Sequence, residues 1–149
     1  MEFRRRSKAL HLYLERDPLS AEIDDEYGLS LYLERVRWQG GVQERCGSCY
    51  ALRLEKTAER ARALGLKGFT TTLLASREQD RDRVARAGEQ AAEKYGVRFF
   101  PADLRRLLPD EKLLRGIYKQ QYCGCVFSEF ERFRGTNKHL YFPGGMRDH

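Results

Sequence analysis

The stretch GFTTTLLASREQ, residues 68–79, is the strongest indication of the fold class, because it joins the pattern of a strand to the start of a helix. Residues 68–74 are rich in threonine, leucine and phenylalanine and are bounded by Gly68 and Ser76, which predicts a buried strand. The segment Ser76-Arg77-Glu78-Gln79 matches a capping box, in which two polar side chains satisfy free N–H groups at a helix start. We therefore predict a strand followed directly by a helix.

The helix after this strand should run to about Tyr95, because Gly96 is a residue type that commonly ends a helix. Residues 97–100, Val-Arg-Phe-Phe, predict another strand, and a further helix is expected from about Pro109. Strands that alternate with helices favour a parallel sheet, since a parallel pair needs a long crossover connection. The fold class predicted is thus α/β, with a parallel sheet flanked by helices.

The segments before this region are predicted to be mainly helical. Residues 2–16 have apolar side chains near helical spacing, and Asp17-Pro18 should end that helix. A short strand is predicted over residues 19–23. Ser30 is expected to cap a second helix that continues to about Trp38.

A longer helix is predicted from Arg45 to Leu64, where apolar residues recur at helical spacing and Gly65 follows as a stop. Cys46 and Cys49 would then lie in its first turn and on one face. Free N–H groups and the positive end of the helix dipole favour thiolates at such a place. The prediction is a pair of metal ligands at a helix start.

Length and composition favour one domain of residues 1–134, followed by an irregular tail of residues 135–149. No apolar run approaches the roughly 20 residues that a membrane span needs, and residues 1–6 lead into no apolar signal segment. We expect a cytoplasmic protein with no membrane partner, whose thiols stay reduced. The net charge of +6 favours an anionic partner such as RNA, but charge alone identifies none.

All four cysteines stand in two close pairs, Cys46-Gly-Ser-Cys49 and Cys123-Gly-Cys125. Four thiolates can hold a zinc ion or an iron–sulfur cluster, and the central glycine of the second pair lets both sulfurs turn to one point. Four inert buried thiols and a structural zinc site are the alternatives. Residues 118–122 add tyrosine, lysine and glutamine beside the second pair, which suits either contact with a base or an ordinary helix end.

Three motifs follow one another in a specific order: Arg45-Cys46-Gly47-Ser48-Cys49-Tyr50, Phe69-Thr70-Thr71-Thr72-Leu73-Leu74 and Gln121-Tyr122-Cys123-Gly124-Cys125. Their joint pattern, spread over residues 2–132, resembles the QueH family of epoxyqueuosine reductases. The resemblance implies an adenine-nucleotide-hydrolase-like (HUP-like) fold. It also implies the last step of queuosine biosynthesis, in which epoxyqueuosine at the tRNA wobble position becomes queuosine. The family uses a [4Fe–4S] cluster and an associated metal ion, without cobalamin.

The resemblance implies that the four cysteines are ligands of the cluster or of the additional metal, iron or another divalent ion, without dividing them between the two. Removing an epoxide oxygen as water needs two electrons, which a cluster can relay and redox-inactive zinc cannot. We hypothesise that Tyr122, Gln121 and Thr71 lie near the substrate and that the site metal acts as a Lewis acid on the epoxide oxygen. The partners implied are tRNA carrying epoxyqueuosine and an unidentified electron donor.

The sequence also departs from the family pattern. Members begin with a strand and a Cys-Cys motif with a third Cys and an Asp nearby, whereas we expect this chain to start inside the helix that follows. It has Arg77-Glu78 where the family usually has Pro-Tyr. We expect a sheet that lacks its first strand and a chain that is unstable or associates, whether through a late start codon, a fragment or a degenerate paralogue. The functional alternatives are a non-catalytic zinc or iron–sulfur module and a sulfur-transfer or desulfidase enzyme.

Overall fold

The computed structural model describes residues 2–36, 40–106 and 110–134. The chain divides into two compact units. The central unit is Gly28–Leu108, and the terminal unit combines Met1–Tyr27 with Pro109–His149. Residues 135–149, predicted to be an irregular tail, lie outside the described residues, as do Trp38 and Pro109, the predicted limits of two helices.

The central unit contains a small parallel sheet beside two long helices. The sheet pairs Gly68 with Arg98 and Phe69 with Phe99 in parallel register. In chain order, its elements are α2 (Leu29–Val36), α3 (Val42–Ala63), β1 (Gly68–Phe69), a 3₁₀ helix (Thr72–Ala75), α4 (Arg81–Tyr95), β2 (Arg98–Phe99) and a second 3₁₀ helix (Leu104–Arg106).

The core of this unit lies where α3 packs against α4 and both helices contact the sheet. Small residues let the two helices and the strands approach closely. Gly88 of α4 lies against Phe99 of β2, and a Cβ at residue 88 would be 2.5 Å from that ring. The buried cluster comprises Tyr50, Leu54, Ala58, Ala61, Phe69, Leu74, Val84, Ala87, Ala91 and Ala92.

The strand predicted over residues 68–74 is confirmed only for Gly68–Phe69, and the remainder of that prediction is wrong. Thr71 ends the extended backbone because its side-chain oxygen accepts a hydrogen bond of 3.2 Å from the backbone N–H of Leu73. The chain then turns into the 3₁₀ helix Thr72–Ala75. A local side-chain bond of this kind competes with sheet pairing, which the apolar composition of the stretch does not reveal.

The start of α4 differs from the predicted capping box. Asp80 is the N-cap, and its carboxylate accepts hydrogen bonds of 3.1 Å from the backbone N–H groups of both Asp82 and Arg83. Ser76 instead accepts from the N–H of Glu78 in the preceding loop, at 3.1 Å. The predicted helix end is confirmed, since Gly96 follows Tyr95 with a left-handed φ of 65°.

Three further boundaries differ from the sequence-based expectation. Helix α3 begins at Val42, before the predicted Arg45. Helix α2 begins at Leu29, so that Ser30 lies inside the helix rather than capping it. The carbonyl of Gly28 accepts a helical hydrogen bond from the N–H of Tyr32 at 3.0 Å. The strand predicted over residues 97–100 is present but limited to Arg98–Phe99.

The terminal unit is helical, with α1 (Glu2–Arg16), α5 (Glu111–Leu114) and α6 (Val126–Phe133). Helix α1 has the predicted bounds. One guanidinium nitrogen of Arg16 donates hydrogen bonds of 2.7 Å to the carbonyls of Leu113 and Arg115, which joins the end of α1 to α5. The strand predicted over residues 19–23 is wrong: this segment is irregular and largely exposed, and the described residues of the terminal unit contain no strand that could pair with it.

The described residues are therefore mostly helical with one small parallel sheet, which is compatible with the predicted α/β class. Their assignment to the HUP-like fold stays a prediction. None of the helices in residues 2–36, 40–106 and 110–134 has the length and apolar character required to cross a membrane.

Replacing Gly88 by alanine should lower the free energy of unfolding by about 1–3 kcal/mol, because the added methyl group would overlap the Phe99 ring. Gly47→Ala is the matched control: residue 47 is also helical, but a Cβ there meets nothing within 4 Å. This control should gain about 0.5–1 kcal/mol from helix propensity. Urea unfolding followed by circular dichroism measures both, and equal stabilisation by the two variants would contradict the packing described.

Candidate metal centre

The first cysteine pair is fixed on one face of α3. Cys49 is buried, and Cys46 packs against the core cluster of the central unit, so the helix cannot rotate without exposing apolar surface. The guanidinium of Arg83 in α4 donates to the backbone carbonyl and to the side chain of Gln43, at 2.9 and 2.6 Å. Helix packing and this clamp at the first turn of α3 therefore hold both thiols in place.

The prediction that this pair lies in the first helical turn is wrong, because α3 begins earlier than expected. Arg45 already donates its N–H to the carbonyl of Gly41 at 3.2 Å, so the free N–H groups of the helix start precede Cys46. The helix dipole acts mainly within the first turn. Core packing rather than a helix end positions Cys46 and Cys49.

The second cysteine pair does lie at a helix start. Cys125 is the N-cap of α6, and its sulfur accepts a hydrogen bond of 3.3 Å from the backbone N–H of Ser128. The hydroxyl of Ser128 donates to the Cys125 carbonyl at 3.0 Å, which closes the turn. An N–H donor and the positive end of α6 both stabilise negative charge on this sulfur. The thiol at a helix start is thus Cys125, whereas the sequence predicts Cys46 and Cys49 at such a position.

The turn between Cys123 and Cys125 depends on glycine. Gly124 has φ +82°, a conformation that side-chain-bearing residues rarely adopt. A Cβ at residue 124 would lie 2.9 Å from the amide nitrogen of Gln120 and 3.4 Å from Cγ of Glu2. The amide of Gln120 also donates to the backbone carbonyl of Tyr122. The turn is therefore packed from two sides.

A buried carboxylate lies beside this turn. One oxygen of Glu2 accepts hydrogen bonds from the hydroxyls of Tyr118 and Tyr122, at 2.8 and 3.0 Å. Burial and the bond to Glu2 raise the pKa of Tyr118, and the same two causes raise the pKa of Tyr122 far above its ordinary value. Both phenols are therefore protonated hydrogen-bond donors. Sequence reasoning missed Glu2, since no local pattern links it to tyrosines 116 and 120 positions away.

The three residues predicted to lie near the substrate have different surroundings. Tyr122 is buried, with the Phe133 ring edge-on at 5.8 Å and the Arg132 guanidinium 6.0 Å from its ring centroid. Gln121 is exposed and accepts a hydrogen bond from Arg132 at 3.4 Å. Thr71 is half-buried in the central unit, where it caps the first 3₁₀ helix. Their proximity to a substrate stays a prediction.

The cysteine sulfurs are the type of donor atom that holds an iron–sulfur cluster. Each unit carries one pair of cysteine thiols, and the sulfur of Cys125 accepts an N–H bond of the sort that tunes cluster potentials. Taken unit by unit, the described residues bring together no group of three histidine, cysteine, aspartate or glutamate side chains. A four-thiolate site therefore needs both pairs, and their convergence stays a prediction.

Fold and site together define a mostly helical protein with a small parallel sheet, two ordered thiol pairs and a buried carboxylate beside one of them. A family model described as "Epoxyqueuosine reductase QueH" matches residues 1–131. The chain belongs to the QueH family.

Several curated relatives carry the name Epoxyqueuosine reductase QueH. The chain is 42% identical to one from Thermotoga maritima over 98 residues, which is 62% of this chain and 51% of the relative. It is 37% identical to one from Dehalococcoides mccartyi over 128 residues, covering 80% and 69% of the two chains. It is 31% identical to one from Helicobacter pylori over 119 residues, covering 71% and 32%. The chain thus spans about half the length of the Thermotoga relative.

Gly124→Ala should destabilise the turn between Cys123 and Cys125 more than backbone strain alone would. Gly116→Ala is the matched control, because Gly116 has φ +72° but a Cβ there meets nothing within 4 Å. The control should cost about 1 kcal/mol locally, and Gly124→Ala about 1 kcal/mol more, because Gln120 must move. Amide hydrogen exchange of residues 111–134 measures both. Equal losses of protection would show that Gln120 and Glu2 do not constrain the turn.

Proposed function

We propose that this chain acts as an epoxyqueuosine reductase on tRNA, in the last step of queuosine biosynthesis. Membership of the QueH family over residues 1–131 supports this proposal, as do the names of the relatives. The observation that carries it is the placement of both thiol pairs, one on a packed helix face and one at a helix N-cap, inside the matched region. The reaction is proposed to take place in the cytoplasm, where tRNA is modified.

The chemistry is a two-electron reduction. Both C–O bonds of the epoxide break, a carbon–carbon double bond forms, and the oxygen leaves as water after taking up two protons. Protein side chains do not supply these electrons. A [4Fe–4S] cluster held by Cys46, Cys49, Cys123 and Cys125, with an associated divalent metal, would when bound pass electrons singly from a separate donor.

Several residues of the chain have specific roles in this proposal. The N–H of Ser128 and the start of α6 stabilise the charge that Cys125 needs in order to act as a thiolate ligand. The exposed amide of Gln121, two residues before Cys123, can hydrogen-bond a base edge. Arg132 donates a hydrogen bond to Gln121 and offers positive charge to an RNA phosphate. Thr71 offers a hydroxyl oxygen near the end of β1.

Tyr122 is assigned to the support of the thiol turn. Its hydroxyl proton is already directed at Glu2, and its ring is covered by Phe133 and Arg132. A stacking contact with a base would require the Arg132 guanidinium to move off the ring.

The test combines metal analysis with turnover. After anaerobic reconstitution, the protein should show the broad visible absorption of an iron–sulfur cluster and should convert epoxyqueuosine in tRNA to queuosine, with a chemical reductant as electron source. Nucleoside mass spectrometry measures the product. Cys123→Ser should abolish turnover, since loss of one cluster ligand removes the electron relay. Ser48→Ala is the control, because it changes a residue between Cys46 and Cys49 without removing a thiol.

Each other outcome identifies an alternative. Colourless protein with one bound zinc and no turnover would contradict the proposal in favour of a non-catalytic metal-binding module. A cluster without epoxyqueuosine turnover would contradict it in favour of a sulfur-transfer or desulfidase enzyme. Full activity in Cys123→Ser would show that the second pair is not part of the redox centre.

A further inference from the structure

We propose that Glu2 is a positioning residue, whose buried carboxylate fixes the turn that carries Cys123 and Cys125 before any metal binds. This inference deepens the proposed function, on which it rests for naming these thiols as ligands. Glu2 acts through Tyr118, Tyr122 and Gly124.

The contacts of Glu2 reach both ends of the segment that leads into the thiol pair. Tyr118 begins this segment and Tyr122 immediately precedes Cys123, and both hydroxyls donate to the same carboxylate oxygen, at 2.8 and 3.0 Å. The two bonds therefore fix the distance between the ends of an otherwise irregular stretch. A phenol has one proton to donate, so neither hydroxyl can make the same bond elsewhere at the same time.

The side chain of Glu2 also packs against the turn itself. Its Cγ lies 3.4 Å from where a Cβ on Gly124 would be, between the two cysteines. Helix α1 adds a second contact to the same segment, since the guanidinium of Arg5 lies 5.8 Å from the ring centroid of Tyr118. Glu2 and Arg5 are three residues apart and share one face of α1. That face holds Tyr118 by its hydroxyl and by its ring.

Stability alone does not explain a carboxylate at this place. Glu2 is 3% exposed, and its second oxygen is buried without a hydrogen-bond partner in the described part of the chain. A polar group with an unsatisfied buried oxygen costs more to bury than an apolar side chain of similar volume. Buried polar groups with such costs concentrate where geometry matters for function. The cost is accounted for if the carboxylate orders the thiol turn.

The test measures thiol accessibility in the metal-free protein, so it needs neither cluster nor tRNA and can fail independently of the proposed function. Reduced protein is alkylated with iodoacetamide, and the rates at the two pairs are read separately by mass spectrometry after trypsin. Cleavage after Arg45 and Arg53 isolates the first pair, and cleavage after Lys119 and Arg132 isolates the second. The first pair is thus an internal control for general loss of structure.

Glu2→Leu should raise the alkylation rate at Cys123 and Cys125 about tenfold, because two buried phenols lose their acceptor and the turn opens more often. Glu2→Gln should raise it much less, since an amide oxygen can still accept from both phenols. The rate at Cys46 and Cys49 should stay the same in both variants. Glu15→Leu, at the exposed glutamate near the other end of α1, should change neither pair.

Three results would overturn the proposal. No increase in Glu2→Leu would show that the carboxylate does not order the turn. Equal increases in Glu2→Leu and Glu2→Gln would assign the effect to loss of negative charge near the thiols rather than to positioning. Equal increases at both pairs would indicate general destabilisation. If Glu2→Leu does not fold, Tyr122→Phe replaces it: this variant keeps the ring contact with Phe133, and the same selective increase at the second pair is expected.

Discussion

The packing of α3 against α4 is the interaction on which the central unit depends. Leu54 and Ala58 of α3 meet Val84 and Ala91 of α4 in a core with almost no exposed surface. Burying this apolar area supplies the main stabilisation of a unit whose described residues form a sheet of two short strands. The same packing fixes the rotation of α3 and hence the direction of its cysteine pair. Stability and thiol geometry therefore have one physical origin in this unit.

The terminal unit orders its cysteine pair by a different means. Polar contacts replace apolar packing here. The N–H of Ser128 donates to the sulfur of Cys125, and two phenols donate to Glu2 beside Gly124. Such networks are costly when incomplete and rigid when satisfied, because a low local dielectric strengthens every bond in them. A thiol turn held in this way is ordered without a metal, which would lower the entropy lost if the proposed metal binds there.

Periodic segments could be predicted from the sequence, whereas features set by single side-chain bonds could not. The apolar spacing of α1 and α3 predicted those two helices, and a polar capping pattern followed by the stop at Gly96 predicted α4. The strand at Gly68 was predicted too long because Thr71 bonds to the next turn instead of extending the sheet. Asp80 rather than Ser76 caps α4, since both are good caps and only the tertiary structure decides between them. The cysteine pairs were visible as motifs, while Glu2 gave no local signal.

We propose that these two thiol pairs hold a reducible iron–sulfur cluster. Electron paramagnetic resonance tests this directly, on protein that has been reconstituted anaerobically and then reduced. We expect the signal of a one-electron-reduced [4Fe–4S] cluster, with close to one cluster per chain and its loss when any of the four cysteines is replaced by serine. A protein that binds iron and sulfide but gives no such signal on reduction would contradict it. So would a signal that persists without Cys123 and Cys125.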